Sequence, residues 1–236
     1  MRHSRLHFVS SAGFGLFLAG LGSPLSGGLA AVQAAPSASD FSIARLHYGG
    51  GGDWYGNQSS LKNLLLGVQE RLQIPVAAPE EAVVEPLDEA LFRHPFLFVS
   101  GHGNVKFTPA EIDRMRAYFE AGGFLWCDDD YGIDASFRRE VKRIFPDREF
   151  VELPFDHDLF LAPYRFERGL PKIHEHDGGP PRAFALFHKG RMAVLYTFDT
   201  DLGDGLEDAG THPDPPEKRE AALQMALNIV SYALTH

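Results

Sequence analysis

The sequence predicts an α/β fold: a three-layer, doubly wound, mainly parallel sheet, finished by a C-terminal β-hairpin and a long C-terminal helix. Three observations predict it. Apolar runs of strand length alternate with amphipathic runs of helix length between residues 41 and 153. Two of the strands, "PFLFVSG" (95–101) and "FLWCD" (124–128), are apolar throughout, as strands buried on both faces are. The last third departs from this alternation, with two adjacent apolar runs and then a long stretch of helical periodicity.

In order, "FSIARLHY" (41–48) alternates apolar and polar residues and reads as the first strand. "GGGGDWYGNQ" (49–58) is a glycine loop, and "SSLKNLLLGVQERLQ" (59–73) carries leucines at helical spacing, with Ser59 or Ser60 available as N-cap. A proline-punctuated segment holds the short apolar piece "AVVEPL" (82–87), and "LDEALFRH" (87–94) suits a brief helix. After the strand at 95–101, "TPAEIDRMRAYFEAGG" (108–123) has Thr108 as N-cap, Pro109 at the first helical position and Glu111 placed for a capping box. It stops at Gly122-Gly123. The strand at 124–128 leads to a helix at 134–145 and a strand at 148–153. "RAFALFHKGRMAVLYTFD" (182–199) reads as a hairpin turning at 188–191, and residues 215–234 as the closing helix.

The 236 residues are 44% hydrophobic and 12% aromatic, ample for a packed core. Arg2 and Arg5, the apolar run at 8–22 and the small residues up to Ala34 fit a secretory signal spanning residues 1–34, cleaved near Ala34. The alternative is an N-terminal anchor that is retained. Residues 1–34 hold two arginines and no acid, so a formal charge of −10 becomes −12 on cleavage. So acidic a body argues against nucleic acid or an anionic membrane surface as partner. We expect a periplasmic or secreted protein, one domain over 41–236, with no stable membrane span after cleavage. The only cysteine, Cys127, permits no internal disulfide and reads as a small buried hydrophobe.

In a doubly wound sheet the binding crevice lies beyond the carboxyl ends of the strands, where strand order reverses. With flavodoxin-like order the strands at 41–48, 95–101 and 124–128 are neighbours, and their loops, "GGGGDW", "GHGNV" and "DDDYG", line one crevice. The candidate binding residues are Asp53, Trp54, His102, Asp128 and Asp129, joined by Asp156 and His157 from "PFDHDLF" and Asp201 from "FDTDLGDG". Such oxygens and imidazoles suit a divalent metal, with Asp128 and His157 as the ligands singled out, although the spacing matches no compact metal motif. Each has a plainer reading as a cap, a salt-bridged turn or a solvated loop residue. His174 and His176, in a Pro/Gly loop, read as exposed.

"RLHYGGGGDWYGNQSSLKNLL", "LFRHPFLFVSGHGNVKFTPAEIDRMRAYFEAGGFLWCDDDYG" and "FPDREFVELPFDHDLF" resemble a bacterial family numbered four-one-five-nine in the domain-of-unknown-function series, from about Phe41 to Thr235. The resemblance implies a class I glutamine amidotransferase-like fold, export or membrane attachment, and cell-envelope proteins as partners. It brings no established reaction. Amidotransferases carry a cysteine nucleophile on a turn directly after a strand. Here that elbow falls at Asp128, and Cys127, one residue earlier, points to the opposite face. A one-residue shift of the elbow would restore Cys127. Two readings stand: a non-catalytic binding or scaffold module without the nucleophile, or a hydrolase in which Asp128 or Asp129 works with His102 or His157, on a carbohydrate-type ligand by analogy of fold.

Overall fold

The structure is a computed structural model describing residues 40–176 and 178–236. The expected signal segment, residues 1–34, lies outside the described residues. Seven strands form one mixed sheet: β1 (Ile43–Leu46), β2 (Ala82–Val84), β3 (Phe96–Val99), β4 (Phe124–Asp128), β5 (Val151–Glu152), β6 (Arg182–His188) and β7 (Arg191–Phe198). Their spatial order is β2-β1-β3-β4-β7-β6-β5. The first five in that order are parallel; β6 runs antiparallel to β7, and β5 antiparallel to β6. The long helices are α1 (Ser60–Arg71), α2 (Pro109–Glu120), α3 (Asp134–Ile144) and, after the five-residue α4 (Leu202–Leu206), α5 (Pro216–Thr235).

Period-two alternation sorts the strand residues between two cores. Ile43, Phe96, Phe98, Phe124, Trp126 and Leu195 pack with α1, α4 and α5, while Leu46, Leu97, Val99, Leu125, Cys127 and Tyr196 pack with α2 and α3. A strand buried on both sides has no polar face to show, which is why β3 and β4 are apolar throughout. The N-terminus of α2 holds the expected capping box. Thr108 Oγ1 accepts from Glu111 N at 3.3 Å, and Glu111 Oε2 accepts from Thr108 N at 2.6 Å.

Two local expectations are corrected. Ser59 sits at the N-cap of α1 without capping it: its hydroxyl accepts from Asp208 N at 2.9 Å, while Ser60 Oγ donates to Asn57 O at 2.7 Å. The strand expected over 148–153 shrinks to two exposed residues, because β5 is an edge strand paired only with β6. The acidic run after β7 turns directly into α4.

Strand order reverses at β1, which has β2 on one side and β3 on the other. The loops leaving β1 and β3 are tied together there: Asp53 N donates to His102 O at 3.2 Å, and Lys106 N to Gly49 O at 2.8 Å. Buried Arg45 braces the same corner. Its guanidinium donates to Glu81 Oε2 at 2.9 Å, Asn57 O at 2.9 Å and Ser100 Oγ at 3.2 Å.

Candidate functional site

The three aspartates continue the alternation of β4. Asp128 follows Trp126 to the α1/α5 side, Asp129 follows Cys127 to the α2/α3 side, and Asp130 returns to the first. Asp128 is fully buried. It accepts from the Thr197 hydroxyl on the neighbouring strand and from Gly203 N at 2.6 Å, and Thr197 in turn accepts from Trp126 Nε1 at 2.9 Å. Asp129 accepts from Tyr196 OH at 2.9 Å and from Tyr131 N at 3.0 Å. Both carboxylates are therefore anchored by protein donors.

Asp130 is different. Its Oδ1 has only Asn57 Nδ2 at 3.4 Å, and its buried Oδ2 has no hydrogen-bond partner. Asn57 comes from the loop after β1 at φ 55° and makes its better bond, 2.8 Å, to Asp204 Oδ1 on α4. Gly203 makes room for this. A Cβ there would lie 2.4 Å from Asn57 Nδ2 and 3.3 Å from Asp128 Oδ2. Loops from β1, β4 and β7 thus meet at one point.

Above them lies a cluster of imidazoles and acids. His174 Nδ1 is 3.0 Å from Asp204 Oδ2 and 3.1 Å from Asp201 Oδ2, and its Nε2 is 3.1 Å from Asp214 Oδ2. His176 Nε2 also pairs with Asp201, while His212 Nε2 lies 3.0 Å from Glu207 Oε2 and 3.6 Å from Asp204 Oδ1. Asp201 is wholly buried, and its Oδ1 lacks a hydrogen-bond partner. It stands in the left-handed region at φ 58°, one of several strained non-glycine residues here with Asn57, Tyr131 (φ 98°) and Asp199 (φ 55°). Tyr131 stacks on His176, with ring centroids 4.8 Å apart.

Crowding acids away from water raises their proton affinity. Burial, compounded by Asp201 and Asp204, pushes the Asp128 carboxyl well above the usual range, against the hydrogen bonds from Thr197 and Gly203. Burial and then the neighbouring Asp128 do the same for Asp130. Burial also raises Asp129 and Asp201, the first opposed by Tyr196 and the second by His176. For His174, burial works against the imidazolium, but Asp214 and Asp204 prevail and its pKa is raised.

Among the residues singled out from the sequence, Asp128 and Asp201 meet at this cluster, while Asp129 turns to the α2/α3 side. Asp53 and His102 lie beside it and pair with each other, His102 Nδ1 standing 3.0 Å from Asp53 Oδ2. Burial works upward on Asp53, but the backbone and ring of His102 outweigh it and lower its pKa. Trp54 stacks on His47 with ring centroids 4.0 Å apart. A Cβ on Gly56 would lie 3.4 Å from Asp53 O and 3.8 Å from Asp130 Oδ2, so the glycine loop runs directly over Asp130.

Asp156 and His157 are placed elsewhere. His157 Nδ1 accepts from Leu159 N at 3.2 Å, and its ring packs on Tyr232, near the C-terminus of α5. Burial lowers its pKa. Arg219, near the start of that helix, bonds Glu207 O beside the acid cluster. Thirteen residues separate Arg219 from Tyr232, about 20 Å of helix. A metal site made by Asp128 with His157 is excluded by this separation. Asp156 is exposed next to it.

No sequence pattern marks Asn57, Asp204, His212 or Asp214, and His174 and His176, expected to be exposed, are half-buried. The "HEH" and "DTDLGDG" spacings were the available signal, but only the bonds of Ile173 to Thr200 and Lys218 bring them together. Cys127 is fully buried among the α2/α3 core, and burial raises its thiol pKa well above the ordinary value.

These features define an α/β domain whose strand ends carry a cluster of carboxylates and imidazoles. The chain belongs to the family described as "Domain of unknown function (DUF4159)", whose model matches residues 42–234. No curated protein matches it. No helix among the described residues is long and apolar enough to cross a membrane.

Proposed function

We propose that the chain is an exported cell-envelope protein that works as a binding module, on a flavodoxin-like, amidotransferase-like frame without a cysteine nucleophile. The crevice takes a small ligand rich in hydrogen-bond donors, either a neutral carbohydrate-type polyol or a cationic group. One observation carries this reading: Asp130 Oδ2 and Asp201 Oδ1 are buried acceptors that the chain leaves without donors. An unmet buried acceptor costs on the order of 1–3 kcal/mol, which a donating ligand recovers on binding. Acidic walls would repel an anion. Trp54 and the exposed Tyr55 and Tyr131 offer ring faces at the rim.

The hydrolase alternative is weaker on the same geometry. Asp128 and Asp129 are 0% and 2% exposed and already engaged by protein donors, so neither is free to meet a substrate. His157 lies far away, and Cys127 faces the other core. Neighbouring cell-envelope proteins would be the partners of such a module.

The test is thermal unfolding of the purified protein in chelator against neutral sugars and polyols, cationic amines and anionic counterparts. A donor-rich neutral or cationic ligand should raise the midpoint by mass action, and Asp130→Asn and Asp201→Asn should abolish the shift. Stabilisation by anions alone, or by nothing in the panel, overturns the reading.

A further inference from the structure

The cluster above Asp130 has the geometry of a metal centre. His174, Asp204 and His212 each offer one ligand atom, and these atoms lie within 4.8 Å of one another. Asp204 stands between the two imidazoles, 3.0 Å from His174 Nδ1 and 3.6 Å from His212 Nε2. Ligands about 2.1 Å from a tetrahedral ion are separated by roughly 3.4 Å, within the 4.8 Å that spans the three ligand atoms. The three side chains are neither sealed nor loose, each being between 19% and 30% exposed. An ion could therefore enter and keep a position open to solvent.

The surroundings are those a ligand set needs. Asp214, itself 7% exposed, lies 3.1 Å from His174 Nε2; accepting a hydrogen bond from Nε2–H leaves Nδ1 as the lone-pair nitrogen, on the side of Asp204. Asn57 Nδ2 fixes Asp204 from behind at 2.8 Å. A second observation bears on the same point. Asp201, 0% exposed and 3.1 Å from the same His174 Nδ1, keeps a buried oxygen with no hydrogen-bond partner. Asp201, Asp204, Asp214 and Glu207 are packed here around the imidazoles, and a divalent ion would add positive charge among them.

We propose that His174, Asp204 and His212 bind one divalent transition ion of the zinc class, with Asp214 and Asn57 orienting the ligands. Two imidazoles and one carboxylate suit zinc or a similar ion better than calcium or magnesium, which take oxygen ligands. The site lies beside Asp130 and does not depend on the ligand reading above, which is tested in chelator.

The experiment is isothermal titration of the chelator-stripped protein with Zn2+, Mn2+, Ca2+ and Mg2+. Cobalt substitution then reports the ligand field by its visible spectrum. One equivalent of Zn2+ should bind with Ca2+ and Mg2+ far weaker, and cobalt should give the intense bands of a low-coordinate site. Asp204→Asn and His212→Gln, checked for fold by circular dichroism, should weaken zinc on the order of 100-fold or more, and Asp214→Asn by about 10–100-fold. His157→Gln should leave affinity unchanged. Absence of stoichiometric binding overturns the proposal. So does zinc binding that persists in both ligand variants, and so does loss with His157→Gln.

Discussion

Replacing Asp130 by asparagine should stabilise the protein at neutral pH, against the usual rule that removing a buried polar contact destabilises. The side chain is 3% exposed, its Oδ2 has no donor and its Oδ1 has one bond of 3.4 Å, so little is lost. What is gained has a ceiling. The folded protein can escape the cost of a buried charge by keeping the carboxyl protonated, and from an unfolded pKa near 3.9 that costs about 4 kcal/mol at pH 7. Asparagine has the same shape, no charge, and an N–H to offer the surrounding acids. Recovering half the ceiling gives about 2 kcal/mol, or roughly 4–8 °C in midpoint for a domain of this size. The gain must depend on pH. Burial and Asp128 raise the folded pKa of Asp130 above its unfolded value, so wild-type stability is fully present below the unfolded pKa and is lost as pH rises through the folded one. Urea unfolding at pH 7.5 and 4.5 reads this directly, with the advantage of Asp130→Asn large at the first and small at the second. A variant less stable than wild type at pH 7.5, or an advantage equal at both, would refute the reasoning.

Two further outcomes follow from packing. Cys127 should resist iodoacetamide in the native protein and react fully in guanidinium, because it is 0% exposed and burial raises its thiol pKa; prompt native labelling would reopen its candidacy as a nucleophile. Gly203→Ala should cost roughly 1–3 kcal/mol by calorimetry and break the Asn57–Asp204 bond, since the new methyl would stand 2.4 Å from Asn57 Nδ2; wild-type stability would mean that the β1 and β7 loops are not locked together as described.

The central sheet was legible because its signals are local and strong. Apolar runs in β3 and β4 can only be strands buried on both faces, and the Thr108–Glu111 capping box fixes the start of α2 within the sequence itself. Edges were harder to read. "REFVEL" has strand-like composition, but only Val151 and Glu152 form a strand, with Leu153 N adding a bond to Ala183 O, since pairing at the sheet margin depends on where β6 runs. Nor could local composition place α4, whose "LGDGL" holds two glycines and starts from a left-handed aspartate. It is helical because its leucines are buried between α1 and α5.

The same distinction explains which part of the site could be read. Asp128 and Asp129 follow from strand alternation and the rule that crevices open beyond carboxyl ends, so the sequence points to them. They prove to be anchored, while the acceptors left open are Asp130 on their flank and Asp201. His174 and His212 are 38 positions apart in segments without regular structure, and neither carries a periodic signal. They meet because Ile173 N bonds Thr200 O at 2.9 Å and Lys218 bonds Ile173 O, which ties the histidine segment to the start of α4 and α5. The residues that a sequence marks by pattern are those the scaffold needs, and the scaffold uses up their hydrogen bonds. The imidazoles and the unmet carboxylate of Asp201 stand in the irregular segments laid over it, where nothing but the folded contacts shows which side chains converge.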